Sequence, residues 1–92
     1  MIKQFLHRGL QRFFETGSKA GIVPHHAERL ARQLIRLDDA KRVDDMNVAG
    51  WGLHPLQGKP HGRYAITVNG NWRMVFKLEG ENAVLVDYLD YH

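Results

Sequence analysis

Two stretches in the first part of the chain carry apolar residues at the spacing of an amphipathic helix. The apolar side of the first stretch consists of Leu6, Leu10, Phe13 and Phe14. This spacing matches one face of a helix with 3.6 residues per turn. Gly17 is placed to end the helix, because glycine readily adopts the left-handed conformation that follows many helix C-termini. The residues from Gly17 to Gly21 are therefore predicted to form a loop.

A second helix is predicted to begin near Pro24, since proline suits the first turn of a helix. Its outer side is predicted to be polar and to include Gln33, and the helix should end between Asp38 and Arg42. The predicted buried stripe consists of Ala27, Leu30, Ala31, Leu34 and Leu37.

From Tyr64 onward the pattern changes to the two-residue alternation of β-strands. Tyr64, Ile66 and Val68 form one side of the first strand of this region. Asn69 and Gly70 follow it, and both accept the positive φ angles that a tight hairpin turn requires. The sequence therefore predicts an antiparallel hairpin here.

The returning strand has one apolar face and one mixed face. Trp72, Met74, Phe76 and Leu78 line the first face, and Arg73, Val75 and Lys77 line the second. Gly80 to Asn82 is predicted to form another turn. The segment from Ala83 to Tyr88 is apolar enough to predict a central strand.

Two further segments are less regular. Ile2 to Leu6 is a candidate for a short first strand, and Val43 to Gly62 shows no sustained period. Long irregular connections in small domains are usually functional or mobile. The predicted fold is a single α+β domain over residues 1–92, with two N-terminal helices packed on one face of a mostly antiparallel sheet. If the helices cover the Met74 face, Arg73 stands on the uncovered face.

The composition restricts the functions that this domain can have. The chain has 92 residues and no cysteine, which excludes disulfides, cysteine-based zinc sites and thiol catalysis. We expect no signal peptide and no membrane association, because the first residues contain no long apolar run. A cytoplasmic location is therefore expected.

Basic residues are concentrated in the first third of the chain. Thirteen lysines and arginines stand against ten acidic residues overall, a mild excess. The first 36 residues carry seven basic residues against two acidic ones, which suits contact with a polyanion such as RNA. A pair of merely solvated helical faces is the alternative. The candidate RNA- or ribosome-binding residues of this region are Arg8, Arg12, Arg29, Arg32 and Arg36.

Three features could carry chemistry. His54 lies in the proline-stiffened segment Leu53-His54-Pro55-Leu56, and an imidazole suits proton transfer near neutral pH. Arg73 could hold a phosphate through paired hydrogen bonds, or it could form a cross-strand ion pair with Asp87. Asp90, Tyr91 and His92 form the last three residues, where structure alone rarely requires such side chains. For His54 the alternative is an ordinary surface-loop histidine, and for the last three residues a polar tail.

Lys59 and Arg63 are weaker candidates for phosphate contact, because their glycine-rich surroundings also suit an exposed turn. His25 and His26 are adjacent and project to different sides of a helix, so they predict no metal site. No HExxH, P-loop or dinucleotide-binding motif is present. Imidazoles, an arginine and a tyrosine suit RNA cleavage without a metal or other cofactor, by attack of the 2′-hydroxyl on the adjacent phosphate.

Several of these segments together resemble a known family. The opening Met-Ile-Lys-Gln-Phe, the Leu53-to-Gly58 segment, the Asn-Trp-Arg run at Asn71 to Arg73 and the final Asp-Tyr-His all look like the HigB toxins of the RelE/ParE superfamily. The resemblance extends from the first residue to the last. It implies a RelE-like fold and ribosome-dependent cleavage of messenger RNA.

The resemblance also implies a set of catalytic residues and partners. The residues that match the family's catalytic set are His54, Arg73, Asp90, Tyr91 and His92. The implied partners are the 70S ribosome with its message and a helix-turn-helix, HigA-like antitoxin. Operator DNA is expected to be contacted only through the antitoxin complex, and the toxin alone is expected to be monomeric. Relatives often carry lysine at the position of Gln57, so this residue is a departure from the family pattern.

Two other functions are compatible with parts of the sequence. A ParE-like inhibitor of DNA gyrase would share the fold and act by binding a protein, but it would not need the His, Arg and Tyr set. A non-catalytic nucleic-acid-binding module would tolerate alanine at His54 and His92, and it would depend on residues such as Arg29 and on salt concentration.

Overall fold

The computed structural model describes residues 1–91 and has the predicted α+β composition. Two α-helices precede a four-stranded sheet, and a 3-10 turn leads into the second helix. The elements are α1 (Arg8–Thr16), the 3-10 turn Pro24–His26, α2 (Ala27–Asp39), a second 3-10 turn (Val43–Met46), β1 (His54–Pro55), β2 (Arg63–Asn69), β3 (Trp72–Glu79) and β4 (Asn82–Asp90).

Both ends of α1 are satisfied by local hydrogen bonds. The Leu10 amide donates to Nδ1 of His7 over 2.9 Å, which caps one of the free N–H groups of the first turn. Gly17 has a φ of 80° and its amide donates to the Phe13 carbonyl, so the predicted glycine terminus is confirmed. Helix α2 begins at Ala27 after the 3-10 turn at Pro24 and ends at Asp39, close to the predicted limits.

Close backbone contact joins the start of α1 to the loop before α2. A Cβ added to Gly9 would lie only 2.4 Å from the Gly21 carbonyl oxygen. Any larger residue at Gly9 therefore requires the backbone to move, because protein interiors leave no room for such an overlap.

The four strands follow one another in the sheet in the order β1-β2-β3-β4, and every neighbouring pair is antiparallel. The turn between β2 and β3 consists of Gly70 and Asn71, one residue beyond the predicted Asn69-Gly70. Gly70 has a φ of 56°, which an L-residue rarely adopts. The register also shifts near Thr67, so the last part of β2 contains an extra residue.

Strand β4 lies at one edge of this sheet, so the prediction of a central strand was wrong for the four-stranded order. Its outer edge pairs instead with the N-terminal segment, through parallel bridges from Ile2 to Ala83 and from Phe5 to Val86. The candidate first strand is therefore present as these two bridges. Between them β4 contains a bulge at Leu85, which has a φ of 54°.

One apolar cluster forms the core and contains side chains from both helices and from the sheet. From the sheet it includes Ile66, Val68, Met74 and Phe76, as the strand alternation predicts. The predicted stripe of α2 is also buried, except for the half-buried Ala31. Gln33 corrects the prediction: it is completely buried, and its Nε2 donates to the Thr67 carbonyl over 2.8 Å.

The connection between α2 and β2 is more ordered than its sequence predicts. Met46 is completely buried and Trp51 nearly so, and both belong to the core cluster. The Thr67 amide donates to the Trp51 carbonyl over 2.7 Å, which ties this connection to β2. His54 and Pro55 then form the edge strand β1, so His54 lies on the sheet rather than in an irregular loop.

Candidate active site

The strand register places His54 on the sheet face opposite the core. His54 pairs with Ala65, Ala65 pairs with Val75, and Val75 pairs with Asp87. Paired residues of antiparallel strands point to the same side of a sheet. None of these four residues belongs to the core cluster, so this row marks a second face. We call it the active face, meaning the side of the sheet that carries His54, Ala65, Val75 and Asp87.

Arg73 also lies on the active face, two positions along β3 from Val75. Strand spacing puts its Cα at about 12 Å from that of His54, two strands across and one pleat along. Side chains of this length can reach a phosphate lying between them. The prediction that Arg73 stands apart from the core is therefore confirmed by the register.

The active face is not open throughout, which corrects the prediction of an uncovered surface. Ala65 and Val75 are both completely buried although they lie outside the core cluster. The polar residues around them, Thr67, Arg73 and Lys77, are half-buried. Small apolar side chains thus form the floor of this face, and longer polar side chains surround it.

Arg73 is held by main-chain carbonyls rather than by a carboxylate. Its Nη1 donates to the Gly70 carbonyl over 2.6 Å and to the Trp72 carbonyl over 3.1 Å. Within residues 1–91 it forms no ion pair with Asp87, whose carboxylate instead accepts the Tyr88 amide. The positive charge of Arg73 is therefore oriented by main-chain carbonyls, and within residues 1–91 no carboxylate forms an ion pair with it.

The His54 ring has a defined orientation. Its Nδ1 lies 2.9 Å from the Gly52 carbonyl oxygen. A carbonyl oxygen can only accept a hydrogen bond, so this contact places the proton of a neutral ring on Nδ1. The exposed Nε2 then carries the lone pair, which is the protonation state that a general base requires.

Tyr91 contacts the β2–β3 turn, which also accepts a hydrogen bond from Arg73. The Tyr91 amide donates to the Asn71 carbonyl over 2.9 Å. Asp90 is exposed and pairs with Trp72, which packs against the core, so strand alternation does not put Asp90 on the active face. Tyr91 is exposed beyond the strand. His92, also predicted as catalytic, lies outside the described residues.

The two basic residues of the glycine-rich segment occupy different surroundings. Arg63 pairs with Lys77 in the next row of the active face and is half-buried. Its Nε is buried without a hydrogen-bond partner among the described residues. Lys59 and the family-departing Gln57 are exposed in the loop between β1 and β2.

The helical arginines fall into two groups. Arg29 donates to the Gly50 and Thr67 carbonyls, and Arg36 donates from Nε to the Asp45 carbonyl over 2.7 Å, so both stabilise the 43–51 connection. The other three are exposed, and their side chains form no hydrogen bond or ion pair within the described part of the chain. They are Arg8, Arg12 and Arg32.

A buried polar cluster beneath the end of β4 was missed by the sequence analysis. His26 is 2% exposed, and its Nδ1 lies 2.6 Å from Oη of Tyr88. Tyr88 stacks on Trp72, with ring centroids 4.5 Å apart. Burial lowers the pKa of His26, with a smaller contribution from His25, and burial raises the pKa of Tyr88. The signal in the sequence was weak: a histidine directly before a helix that lacks an N-cap side chain.

Residues 1–91 contain neither a metal-binding cluster nor a membrane-spanning helix. No group of three or more histidine or acidic side chains there is arranged to hold a metal ion. No helix in that part of the chain is long and apolar enough to cross a membrane.

Comparison with known proteins covers nearly the whole chain. The family profile described as "RelE-like toxin of type II toxin-antitoxin system HigB" matches residues 3–92. Endoribonuclease HigB of Proteus vulgaris is 37% identical over 92 residues, which span 100% of both chains. Toxin HigB-1 of Vibrio cholerae serotype O1 is 30% identical over 94 residues, spanning 100% of this chain and 98% of that protein. The chain therefore belongs to the HigB-like family of RelE-like toxins.

Proposed function

We propose that this protein is an endoribonuclease that cleaves messenger RNA on the ribosome and thereby inhibits translation. The observation that carries the proposal is the shared face of His54 and Arg73, in a chain related along its full length to a protein named Endoribonuclease HigB. A proton acceptor and a guanidinium on one side of a sheet are groups that phosphodiester cleavage needs. The toxin activity then follows from loss of the message.

The proposed reaction needs no cofactor. The ribose 2′-oxygen bonds to the adjacent phosphorus as the bond from phosphorus to the next 5′-oxygen breaks. The products are a 2′,3′-cyclic phosphate and a free 5′-hydroxyl. A base removes the 2′-hydroxyl proton, and an acid protonates the departing 5′-oxygen. Each of these proton transfers typically contributes about 10²–10⁴-fold to the rate.

We assign the base to His54, because its contact with the Gly52 carbonyl leaves Nε2 of the neutral ring to accept a proton. Arg73 stabilises the charge that develops on the phosphate, as preorganised hydrogen-bond donors do in a site that partly excludes water. The acid comes from the last three residues, Asp90, Tyr91 and His92. Tyr91 is supported in this role by its backbone bond to Asn71, beside the turn that holds Arg73.

The proposed RNA surface includes the rest of the active face and part of the helices. Arg63 and Lys59 contact the message backbone near the cleavage site. Arg8, Arg12 and Arg32 contact ribosomal RNA, because they are exposed and unpaired within the described residues. Arg29 and Arg36 contribute charge to the same surface while holding the 43–51 connection.

The fold, the partners and the location belong to the same proposal. In the RelE-like arrangement both helices cover the Met74 and Phe76 face, which the mixed helix and strand membership of the core supports. A HigA-like helix-turn-helix antitoxin neutralises the toxin, and operator DNA is contacted only through that complex. The free toxin is a cytoplasmic monomer.

The deciding experiment is a purified translation reaction in which message ends are mapped. Wild-type protein should cut a translated message on ribosomes and leave the same RNA intact when ribosomes are absent. His54→Ala and His92→Ala, tested beside it, should lose cleavage and keep the wild-type circular dichroism spectrum.

Each alternative has a distinct result. Rapid cleavage of naked RNA would contradict the ribosome requirement. No cleavage in either reaction, together with inhibition of DNA supercoiling by gyrase, would favour the ParE-like function. Salt-sensitive RNA binding that His54→Ala leaves unchanged would favour a non-catalytic binding module.

A further inference from the structure

Asp90 and Tyr91 belong to the segment proposed to supply the acid, and they directly follow the packed end of β4. Asp90 and Tyr91 are both exposed, and Tyr91 is bonded to the rest of the chain through its backbone amide. Exposed ends of chains are ordered only where something ties them down. The last fully packed residue before this segment is Tyr88, which is 3% exposed. Tyr88 is therefore the buried residue that lies nearest in the chain to Asp90 and Tyr91, and their positions depend in part on how firmly it is held.

Tyr88 is held by contacts from three parts of the chain. Its hydroxyl oxygen lies 2.6 Å from Nδ1 of His26 and 3.3 Å from the Val23 amide, both at the entry to α2. Its ring stacks on Trp72 with an interplanar angle of 29°. The edge of the His7 ring, just before α1, contacts it from another side with the centroids 5.2 Å apart.

Two polar groups, the Val23 amide and Nδ1 of His26, meet at this hydroxyl. The Val23 amide can only donate, so the Tyr88 oxygen accepts from it. In the neutral His26 tautomer that carries its proton on Nε2, Nδ1 accepts the phenolic proton of Tyr88. A buried pair of this kind constrains position strongly, because breaking it leaves polar atoms without partners away from water.

Trp72 connects this anchor to the candidate active site. It packs on Tyr88, it pairs with Asp90 in the sheet, and its carbonyl accepts a hydrogen bond from Arg73. The carbonyl of the preceding residue, Asn71, accepts a hydrogen bond from the Tyr91 amide. These contacts join the entry to α2, the β2–β3 hairpin and the end of β4.

We propose that His26 and Tyr88 are positioning residues for RNA cleavage: their buried hydrogen bond, on the side of the sheet opposite the active face, fixes where Asp90 and Tyr91 stand relative to Arg73. This inference rests on the proposed function. His26 and Tyr88 touch no substrate. They act through Trp72 and the β2–β3 turn, and small displacements of catalytic groups are costly, with about 1 Å able to cost 10²-fold in rate.

The test compares Tyr88→Phe with Tyr64→Phe in the ribosome cleavage reaction. Both changes remove one hydroxyl from a tyrosine that stacks on an aromatic ring, and Tyr64 lies far from the turn, against Phe76. Tyr88→Phe should lower kcat on the order of tenfold or more and leave KM within about twofold, since it displaces catalytic groups and keeps the RNA surface. Tyr64→Phe should retain wild-type kcat.

The acceptor side of the bond is tested by two substitutions of His26. His26→Asn keeps an acceptor near the position of Nδ1, and His26→Leu removes it at similar volume. Rescue of kcat by asparagine relative to leucine is expected if the hydrogen bond positions the segment. Equal kcat for the two variants would overturn the proposal, because it would show that only packing matters at this site.

A second measurement is independent of cleavage. Hydrogen exchange of the Tyr91 amide, which bonds to the Asn71 carbonyl, should become faster in Tyr88→Phe and remain at the wild-type rate in Tyr64→Phe. An unchanged Tyr91 exchange rate in Tyr88→Phe would refute the inference. If wild-type protein cleaves nothing, the proposed function fails, and the exchange rates still decide whether this bond holds the segment.

Discussion

The two faces of β3 show how one strand serves packing and chemistry at once. On one face Met74 and Phe76 are completely buried in the core with residues of both helices. On the other face Val75 is equally buried, but Arg73 and Lys77 beside it are half-buried and polar. The two faces differ in the atoms that contact each side chain. Apolar neighbours surround Phe76, whereas main-chain carbonyls surround the charge of Arg73.

Burial alone does not separate structural from functional residues in so small a protein. Val75 and Ala65 are buried on the active face and provide a floor for it. His26 and Tyr88 are buried on the core side, yet we propose that they influence catalysis. Stability and activity should therefore respond differently to substitutions on the two faces.

The largest expected effect is on the core face. Phe76→Ala should lower the free energy of unfolding by about 3–5 kcal/mol, because it leaves a cavity in a fully packed cluster. Urea denaturation measures the change. Glu79→Ala on the same strand is exposed and should change stability by less than about 0.5 kcal/mol. Similar losses for both variants would contradict the assignment of the core face.

The active face should show the reverse behaviour. Arg73→Ala should lower kcat for ribosome-dependent cleavage on the order of 10²–10³-fold, because it removes the group that stabilises the phosphate charge. Its unfolding free energy should fall by about 1–3 kcal/mol, the net value of its two hydrogen bonds to main-chain carbonyls. Arg42→Ala is the control, since Arg42 is exposed and pairs only with Asp45. Retention of cleavage in Arg73→Ala would remove Arg73 from the site.

A smaller effect on stability is expected at Gly9, where the backbone of α1 contacts the loop before α2. Gly9→Ala should destabilise the fold by about 1–3 kcal/mol, because the new Cβ overlaps the Gly21 carbonyl. Arg12→Ala, on the exposed side of the same helix, should have little effect on thermal unfolding. A Gly9→Ala protein as stable as wild type would show that the contact yields easily.

The smallest effect is a dependence of stability on pH. The pKa of His26 is lowered in the folded protein, chiefly by burial, so the unfolded chain takes up this proton first as pH falls. Stability should therefore decrease as pH falls from about 6.5, the ordinary histidine value, toward the lowered pKa of His26. His26→Asn should lack this decrease in urea titrations. A decrease of equal size in His26→Asn would assign it to another histidine.

Asp45 supplies a separate window at more acidic pH. Hydrogen bonds from the Lys41 and Arg42 amides lower the pKa of its carboxyl group. The stability from these bonds is present above the ordinary aspartate pKa of about 3.9 and is lost as pH falls through the lowered value. The His26 window begins near pH 6.5 and the Asp45 window begins near pH 3.9, so one titration separates their onsets.

Local features of the fold could be predicted because each depends on a few neighbouring residues. The apolar spacing around Leu10 and Leu34 specified the two helices, and Gly17 specified where the first one ends. The hairpin between β2 and β3 followed from strand alternation, although the turn begins one residue later, at Gly70. His54 and Arg73 were named as candidates from their chemistry and from the family resemblance.

Other features depend on parts of the chain that are far apart in sequence. The edge pairing of β4 requires the N-terminal segment, and the burial of Gln33 requires the Thr67 carbonyl to lie beside it. The contact between His26 and Tyr88 joins residues 62 positions apart. The periodicity within one helix or strand does not indicate which distant residue will contact it.

The sequence by itself determined the element types, the two faces of β3 and the family to which the chain is related, since these follow from spacing, turn residues and residue chemistry. The tertiary structure decided that His54 lies on an edge strand in the row of Val75, and that the Arg73 charge is oriented by the carbonyls of Gly70 and Trp72. It also decided that a histidine without a sequence motif is buried against Tyr88. The physical reason is that periodicity specifies which side of an element is apolar, whereas hydrogen bonds between distant residues form only after the elements have packed.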